Sequence, residues 1–217
     1  FRQSVAHELF HCFQAWNYPD AVDRLGANRW WVEGTAEYFS NVVYPEINHE
    51  HRVLRHFDAH STIRSILDMA YENAVFFQHV ANEMGGPTAV LDLLDSLPLS
   101  SGKSAQQQAL ASYGDMAGMF QSLGTLHLSS TGIADPGGGA LVLDQVGVRP
   151  GAIVFSGEQS EELESEPFVL ARQLISYEEE KRFDQTVTMD EDGVYTAVLS
   201  SDRRNLGAWS ELPEVVL

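Results

Sequence analysis

Basic residues, cysteine and long apolar runs are all scarce in this sequence. The 217 residues contain 13 Lys and Arg against 31 Asp and Glu, a formal net charge of −18. Nucleic acids and anionic membranes are bound by basic surfaces, so this charge argues against both as partners. The single cysteine, Cys12, excludes an internal disulfide framework and a cysteine-based zinc site, and it leaves the redox compartment undetermined. No apolar run approaches the roughly 18 residues of a membrane helix, so we expect no membrane insertion.

The character of the sequence changes near residue 130. Before it, apolar spacing predicts helices over 1–16, 31–43, 49–60, 63–69, 71–84, 87–97, 104–112 and 115–123. The glycine-rich segment 135–139 is typical of a loop or linker. Short β-type runs then cover 140–146, 152–155, 168–176, 183–189 and 194–199, with a turn at 190–193. We therefore expect an α+β protein, with a helical domain over 1–130 and a small antiparallel β-sandwich-like module over 131–217.

One motif indicates metal-binding chemistry. Residues 7–11 read HELFH, the HExxH pattern, and lie on the first expected helix. Two histidines four residues apart are separated by only about 40° around a helix, so His7 and His11 can reach one metal ion. Glu8 lies on the same side and can face a water molecule at that metal. The alternative is a pair of hydrogen-bonded surface histidines without a metal.

A second motif, WWVEGTAEYF, starts at Trp30 and places Glu33 22 residues after His11. A catalytic zinc ion takes three protein ligands and keeps one position for water, and two histidines with one glutamate are an established set. Glu33 would be the third ligand. Glu37, one turn later on the same helix face, would accept a hydrogen bond from a ligand imidazole and so fix its tautomer.

Together, HELFH and WWVEGTAEYF resemble the gluzincin metallopeptidases, a group with thermolysin-like and aminopeptidase-like members. The helices that follow resemble bacterial peptidase-MA-like domains, so the resemblance covers roughly residues 1–125. It implies that His7, His11 and Glu33 bind zinc, that Glu8 is the general base and that Glu37 orients a ligand. The expected function is zinc-dependent hydrolysis of peptide or protein substrates.

Residues 71–74, which read YENA, are similar to the Tyr-Glu-Lys-Gly helix start of the aminopeptidase-like gluzincins. The tyrosine of that pattern stabilises the oxyanion, and the resemblance gives this role to Tyr71. Asn73 and Ala74 stand where the pattern has Lys and Gly. A tyrosine packed at a helix start is therefore the alternative.

Several other side chains have simpler interpretations. Cys12 lies among apolar residues and is expected to be a small buried side chain. His56 and His60 share a helix face, where they could hold a second metal, donate to an oxyanion or form a solvated surface. Three tryptophans are expected to pack around the zinc helices and keep the site partly dry: Trp16, Trp30 and Trp31.

Known gluzincins place a β-sheet subdomain before the HExxH helix, and its edge strand binds the substrate backbone. The sequence begins with that helix, so we expect an upstream polypeptide segment to complete the active site. Two functions of different classes stay open. One is a zinc metallopeptidase, and the other is a catalytically incomplete gluzincin-like fragment that acts as a binding or structural module. The intact Glu8 favours catalysis, because a retired site need not keep its base.

Overall fold

The computed structural model of the chain describes residues 1–22, 25–128, 132–143, 152–155, 166–171, 174–177, 199–200 and 209–210. Most of these residues are helical, and a small two-stranded antiparallel sheet accompanies the helices. The expected combination of α and β structure is confirmed at this coarse level. None of the described helices is both long and apolar enough to cross a membrane.

Eight α-helices follow one another in the described part of residues 1–128. They are α1 (Arg2–Asn17), α2 (Pro19–Val22), α3 (Leu25–Val43), α4 (Leu54–His60), α5 (Ala74–Met84), α6 (Pro87–Ser96), α7 (Lys103–Ala111) and α8 (Met116–Leu128). Short 3-10 helices occur at His49–Val53, Ile66–Asp68 and Tyr71–Asn73. The expected helices over 1–16, 49–60, 71–84, 87–97 and 104–112 are confirmed within a few residues, and those over 49–60 and 71–84 each begin with a 3-10 turn. The helix expected over 31–43 begins six residues earlier, at Leu25, and that expected over 115–123 ends five residues later, at Leu128.

The helix expected over 63–69 is wrong in length. Residues 63–65 lie in a turn, and only Ile66–Asp68 is helical, as a single 3-10 turn. Ser65 has an extended backbone, with φ −60° and ψ 144°, and its hydroxyl accepts a hydrogen bond from the N–H of Leu67 at 3.4 Å. A serine that bonds to a nearby backbone N–H favours a cap over a helix interior. Ile66, Leu67 and Met69 are buried here without a longer helix, whereas Ile63 is 72% exposed.

The break between α5 and α6 is made by glycine and proline. Gly85 ends α5 with φ +105°, and Gly86 follows with φ +96°. Glycine adopts this left-handed backbone without a steric penalty, which is why it commonly ends helices. Pro87 then occupies the first turn of α6, where its missing N–H has no helical partner to lose.

Helix α3 is central to the helical core. It packs against α1, α5 and the Tyr71–Asn73 turn. Trp30 of α3 is fully buried and stacks on Phe77 with ring centroids 5.8 Å apart. A Cβ atom on Gly34 would lie 2.8 Å from Asn73 Cβ and 2.9 Å from Phe77 Cε2. Only glycine at position 34 therefore lets α3 approach the start of α5 this closely. This approach places Glu33, the residue before Gly34, where α3 meets the start of α5.

Strands β1 (Gly132–Ala134) and β2 (Ala140–Val142) form an antiparallel hairpin. The glycine-rich segment 135–139 is the loop of this hairpin, so its interpretation as a loop is confirmed and that as a linker is wrong. Ile133 and Leu141 are each 1% exposed and belong to the same buried cluster as the helices. The hairpin thus extends the helical core beyond residue 130, and the division of the chain at that point stays a prediction.

The other described strands are short. β3 (Ala152–Phe155) pairs with β4 (Leu174–Tyr177) in parallel, and β5 (Leu199–Ser200) pairs with β6 (Trp209–Ser210) antiparallel. The expected strand over 152–155 is confirmed. Of the run expected over 168–176, residues 168–171 are not strand, 172–173 lie outside the described residues, and 174–176 belong to β4. Residues 144–146, 183–189, 190–193 and 194–198 of the expected runs and turn lie outside the described residues. The described residues do not show a sandwich of antiparallel strands. β3 and β4 are parallel, and a parallel pair needs a crossover connection of a dozen or so residues rather than a hairpin.

Candidate metal centre

Helices α1 and α3 bring three potential metal ligands together. His7 Nε2 lies 3.1 Å from His11 Nε2, and these two atoms lie 3.5 and 3.6 Å from Glu33 Oε2. The two histidines come from successive turns of α1, as their spacing predicts. Glu33 reaches them from α3 because these two helices pack directly against each other.

The spacing of these three atoms fits a bound metal ion. Ligand atoms at about 2.1 Å from a tetrahedral metal are separated from one another by about 3.4 Å. His7 is 7% exposed, and Glu33 Oε2 is buried without a hydrogen-bond donor. A buried carboxylate oxygen that faces two imidazole nitrogens lacks a partner that a cation would supply. In the described part of the chain, this is one of two groups that could hold a metal.

Each imidazole has a polar partner at its other nitrogen. His11 Nδ1 lies 2.7 Å from Gln14 Oε1, and the Gln14 amide in turn donates to the carbonyl of Val32 at 2.8 Å and to Thr35 Oγ1 at 2.9 Å. These bonds fix the orientation of the amide, so its oxygen accepts from Nδ1–H and leaves the lone pair on Nε2 of His11. Sequence reasoning missed Gln14, although its position three residues after His11 on the same helix face was the available signal.

Glu37 occupies the matching position beside His7. Its Oε2 lies 3.1 Å from His7 Nδ1, although the contact is not a well-aligned hydrogen bond. The Glu37 side chain is 1% exposed, and Arg52 Nη2 approaches both of its oxygens at 3.4 and 3.5 Å. His49 Nδ1 lies 3.7 Å from Oε1. Glu37 therefore lies beside His7 Nδ1, and its orienting role stays a prediction.

The same contacts control the charge of these groups in the metal-free protein. Burial by itself lowers the pKa of His7, but Glu33 and Glu37 outweigh it and raise that pKa to about 9. Interaction with the Glu33 carboxylate likewise raises the pKa of His11. Burial opposes ionisation of Glu33, yet His11 and His7 lower its pKa overall. Without a metal, protons on the imidazoles balance the carboxylates.

A cleft of about 660 Å³ opens beside the group. His7 and Glu37 contribute to its wall, and Glu8 lines it as an exposed carboxylate. A carboxylate next to the metal-ligand candidates and open to solvent is in a position to exchange protons with water. Five further side chains also line the cleft: His49, Arg52, His56, His60 and Glu72.

Tyr71 lies in the same cleft. Its ring stacks on that of His7, with centroids 5.7 Å apart and an interplanar angle of 22°. Burial raises the pKa of Tyr71, and the adjacent Glu33 carboxylate adds to this effect, while Arg29 opposes it. The phenol is therefore protonated at neutral pH and can donate a hydrogen bond. The structure brings Tyr71 to the predicted group from the start of the 3-10 turn that precedes α5, and its role there stays a prediction.

Asn73 has a structural role that explains its departure from the resembled pattern. It is fully buried, and its Nδ2 donates to the carbonyls of Trp30 at 3.0 Å and Ile66 at 2.7 Å. A lysine ammonium in this position would be buried, which is strongly unfavourable without a paired charge. Asn73 ties the turn that carries Tyr71 to α3.

Two expectations about α1 are wrong. Cys12 is exposed, and Trp16 is 85% exposed instead of covering the site. The reason is that α3 covers only the α1 face that bears His7 and Gln14, and Cys12 and Trp16 lie off that face. Trp30 and Trp31 are both fully buried, as expected.

The His56–His60 pair is placed differently from a metal site. Their ring centroids lie 5.9 Å apart, and His60 Nδ1 is 2.9 Å from Glu72 Oε1. Neither of the two groups of possible metal ligands among the described residues includes them. Both histidines line the cleft near Tyr71, so they are available to contact a ligand there.

Comparison with family models, with curated proteins and with solved structures found no match to this chain. Function therefore has to be inferred from the side chains of this convergent group and of the cleft beside it. These are two imidazoles and a carboxylate that converge, a second carboxylate open to solvent, and a protonated phenol.

Proposed function

We propose that the protein is a zinc-dependent metallopeptidase in which His7, His11 and Glu33 bind zinc and Glu8 is the general base. The observation that supports this most directly is the convergence of His7 Nε2, His11 Nε2 and Glu33 Oε2 within 3.1–3.6 Å of one another. Two imidazoles and one carboxylate are the ligand set of catalytic zinc in several hydrolases. The set leaves a position for water and substrate on the cleft side.

The contacts behind the two imidazoles favour the tautomers that metal binding needs. Gln14 and Glu37 contact the Nδ1 atoms of His11 and His7, so both Nε2 atoms face the shared position. Such outer contacts commonly raise metal affinity, because they orient the ring before the metal arrives. Zinc, when bound, supplies a Lewis acid that polarises a carbonyl group and acidifies water.

Glu8 and Tyr71 supply the proton chemistry in this proposal. The Glu8 carboxylate takes a proton from the attacking water and passes it to the leaving amine nitrogen as the peptide bond breaks. The Tyr71 hydroxyl donates a hydrogen bond to the oxygen on which negative charge develops. Both side chains line the same cleft as His7 and can therefore meet one substrate.

A further polypeptide segment that completes the site is part of the same proposal. A second, apolar groove on the protein is lined by Leu9 and Phe13 of α1 and by Phe39 of α3. Leu9 is 63% exposed and Phe13 39% exposed, which is unusual for neighbouring large apolar side chains on one helix. This exposure supports a covering segment, and binding of substrate backbone by that segment remains a prediction.

The test is cleavage of casein and of a quenched fluorescent peptide library by the zinc-loaded chain. We expect activity that a chelator abolishes and zinc restores. Glu8→Gln should keep zinc and lose activity by about 10²–10⁴-fold, the usual contribution of a general base. Glu46→Gln is the matched control, because Glu46 is exposed and does not line the cleft, and it should be as active as the unmodified chain.

The outcomes separate the two classes of function. A chain that binds no zinc after reconstitution at neutral pH contradicts the proposal. A chain that binds zinc at His7, His11 and Glu33 but cleaves nothing supports the alternative of a catalytically incomplete gluzincin-like fragment that binds or supports a partner. Cleavage by Glu8→Gln at the rate of the control would remove Glu8 as the base.

A further inference from the structure

A second group of potential metal ligands lies outside the cleft. Glu50 and His51 belong to the His49–Val53 turn, and Asp135 begins the loop of the β1–β2 hairpin. His51 Nε2 lies 3.5 Å from Glu50 Oε1 and 3.8 Å from Asp135 Oδ2. These separations are close to the roughly 3.4 Å expected between ligands of one tetrahedral ion with bonds of about 2.1 Å.

The ligand atoms of this group are buried, and two of them lack partners. Glu50 is 2% exposed, and neither its Oε1 nor Nε2 of His51 has a hydrogen-bond partner. The Asp135 side chain is 1% exposed. Two carboxylates this close and this buried repel each other. A cation between them would remove the repulsion and supply the missing partner.

Buried amides hold both carboxylates in position. Gln3 Nε2 donates to Glu50 Oε2 at 2.7 Å, and Asn41 Nδ2 donates to Asp135 Oδ1 at 2.6 Å. In the amide orientation that pairs donors with acceptors, Asn48 Nδ2 donates to Asp135 Oδ2 at 3.1 Å. These bonds leave Glu50 Oε1 and one lone pair of Asp135 Oδ2 directed at His51. Partners of this kind, which orient ligand oxygens from behind, are typical of built metal sites.

We propose that Glu50, His51 and Asp135 bind a divalent transition-metal ion that joins the turn after α3 to the β1–β2 hairpin. One imidazole with two carboxylates suits zinc or manganese, whereas calcium and magnesium prefer oxygen ligands alone. None of the three residues lines the cleft, so this ion has a structural role. The inference stands apart from the proposed peptidase activity, because it uses none of the residues of the first group.

The position of this ion also connects it to the first group. Gln3, which orients Glu50, accepts a hydrogen bond from the backbone N–H of His49 at 2.9 Å. His49 in turn lies 3.7 Å from Glu37, the residue beside His7. The loop of the hairpin approaches so closely that a side chain at Gly137 would collide with Pro45 O. A metal at Glu50, His51 and Asp135 would therefore hold the wall of the cleft that carries His49.

The experiment is metal counting on the full chain, stripped with chelator and dialysed against Zn²⁺ or, separately, Mn²⁺. We expect two equivalents of zinc for the unmodified chain and one for the double variant His7→Ala/His11→Ala, in which the first group is removed. Glu50→Gln should also retain one equivalent, with the affinity of the second site lowered by more than about 100-fold. Loss of a ligand should exceed the 10–100-fold effect of losing an outer contact.

Glu46→Gln is the control for Glu50→Gln, since it makes the same change of charge at an exposed position in the same stretch of chain. It should keep both equivalents. One equivalent in the unmodified chain that Glu50→Gln retains, or none in a folded His7→Ala/His11→Ala variant, overturns the proposal. If that variant does not fold, the comparison of Glu50→Gln with Glu46→Gln decides alone, and equal stoichiometry in the two overturns the proposal. Failure of peptidase activity would leave this result unaffected.

Discussion

The group formed by His7, His11 and Glu33 and the group formed by Glu50, His51 and Asp135 have similar chemistry in different surroundings. Both place imidazole nitrogen and carboxylate oxygen atoms within about 4 Å of one another in the protein interior. The first opens onto a cleft that Glu8 and Tyr71 also line, whereas no member of the second lines that cleft. Convergent ligand atoms by themselves indicate metal binding. Catalysis is indicated by access from the cleft and by nearby groups that donate or accept protons.

Glu33→Ala tests whether the two groups bind metal independently. It should have the largest effect on zinc binding and on activity. Removing the third ligand should abolish zinc binding at His7 and His11, together with any peptidase activity, because two histidines alone hold zinc weakly. The second group should keep its ion. Metal analysis after dialysis measures both effects, with Glu46→Ala as an exposed control. Unchanged zinc content would show that Glu33 is not a ligand.

Tyr71→Phe tests the cleft that sets the first group apart, because Tyr71 lines this cleft together with His7 and Glu8. Loss of one oxyanion donor should lower kcat by about 10²–10³-fold while KM changes little. Because the Tyr71 hydroxyl also contacts Glu33, zinc affinity should be measured in the same variant and should remain close to that of the unmodified chain. A decrease in kcat of less than about threefold would remove Tyr71 from the mechanism.

Glu37→Ala tests how far the contacts behind the ligands matter. We expect zinc affinity at the first group to fall by about 10–100-fold without loss of the fold, since Glu37 orients His7 without touching the metal. Gln14→Ala should have an effect of the same order through His11. A competitive titration with a chromophoric chelator gives the dissociation constants. Unchanged values for both variants would mean that the two side chains only fill space.

The smallest expected effect is a pH dependence specific to the first group. In the metal-free protein the pKa of His7 is about 9, above the ordinary 6.5, so the protonated ring stabilises the fold fully below about pH 6.5. That stabilisation should be lost as the pH rises towards 9. Zinc must displace this proton, so its apparent affinity should rise by up to about tenfold per pH unit over the same range.

Denaturation midpoints at pH 6, 7.5 and 9, with chelator and with zinc, measure this dependence. The gap between the two midpoints should widen as the pH rises. His56→Ala serves as the control, because His56 is an exposed histidine outside both groups. A gap that is constant with pH would contradict the assignment of His7 as a ligand.

Local sequence patterns predicted most of the helical part. The spacing of His7 and His11, the helices from 71 to 97 and the break at Gly85 all depend on residues close to one another in the chain. Side-chain burial was predicted less well. Trp16 and Cys12 are exposed because burial on α1 depends on which of its faces α3 covers, and the sequence of α1 alone does not contain that information.

Asn73, which departs from the resembled pattern, is a further residue whose role the sequence alone did not predict. In the sequence it weakened the comparison for Tyr71, whereas in the structure it bonds to the carbonyls of Trp30 and Ile66 and holds the Tyr71 turn in place. A residue with such a role can be recognised only once its partners are known. Those partners lie 43 and 7 positions away in the chain.

The sequence by itself determined the two halves of the first group, because an HExxH helix and an EGTAE helix each place their functional side chains through the fixed geometry of one turn. The packing of α1 against α3 then brings Glu33 to the two histidines. Only the tertiary structure decided that Gln14 supports His11, that Tyr71 reaches Glu33, and that Asp135 meets Glu50 and His51. The last contact joins a helix-following turn to a hairpin loop more than eighty positions later. No periodic pattern links residues so far apart, so their meeting depends on how the hairpin packs against the helical core.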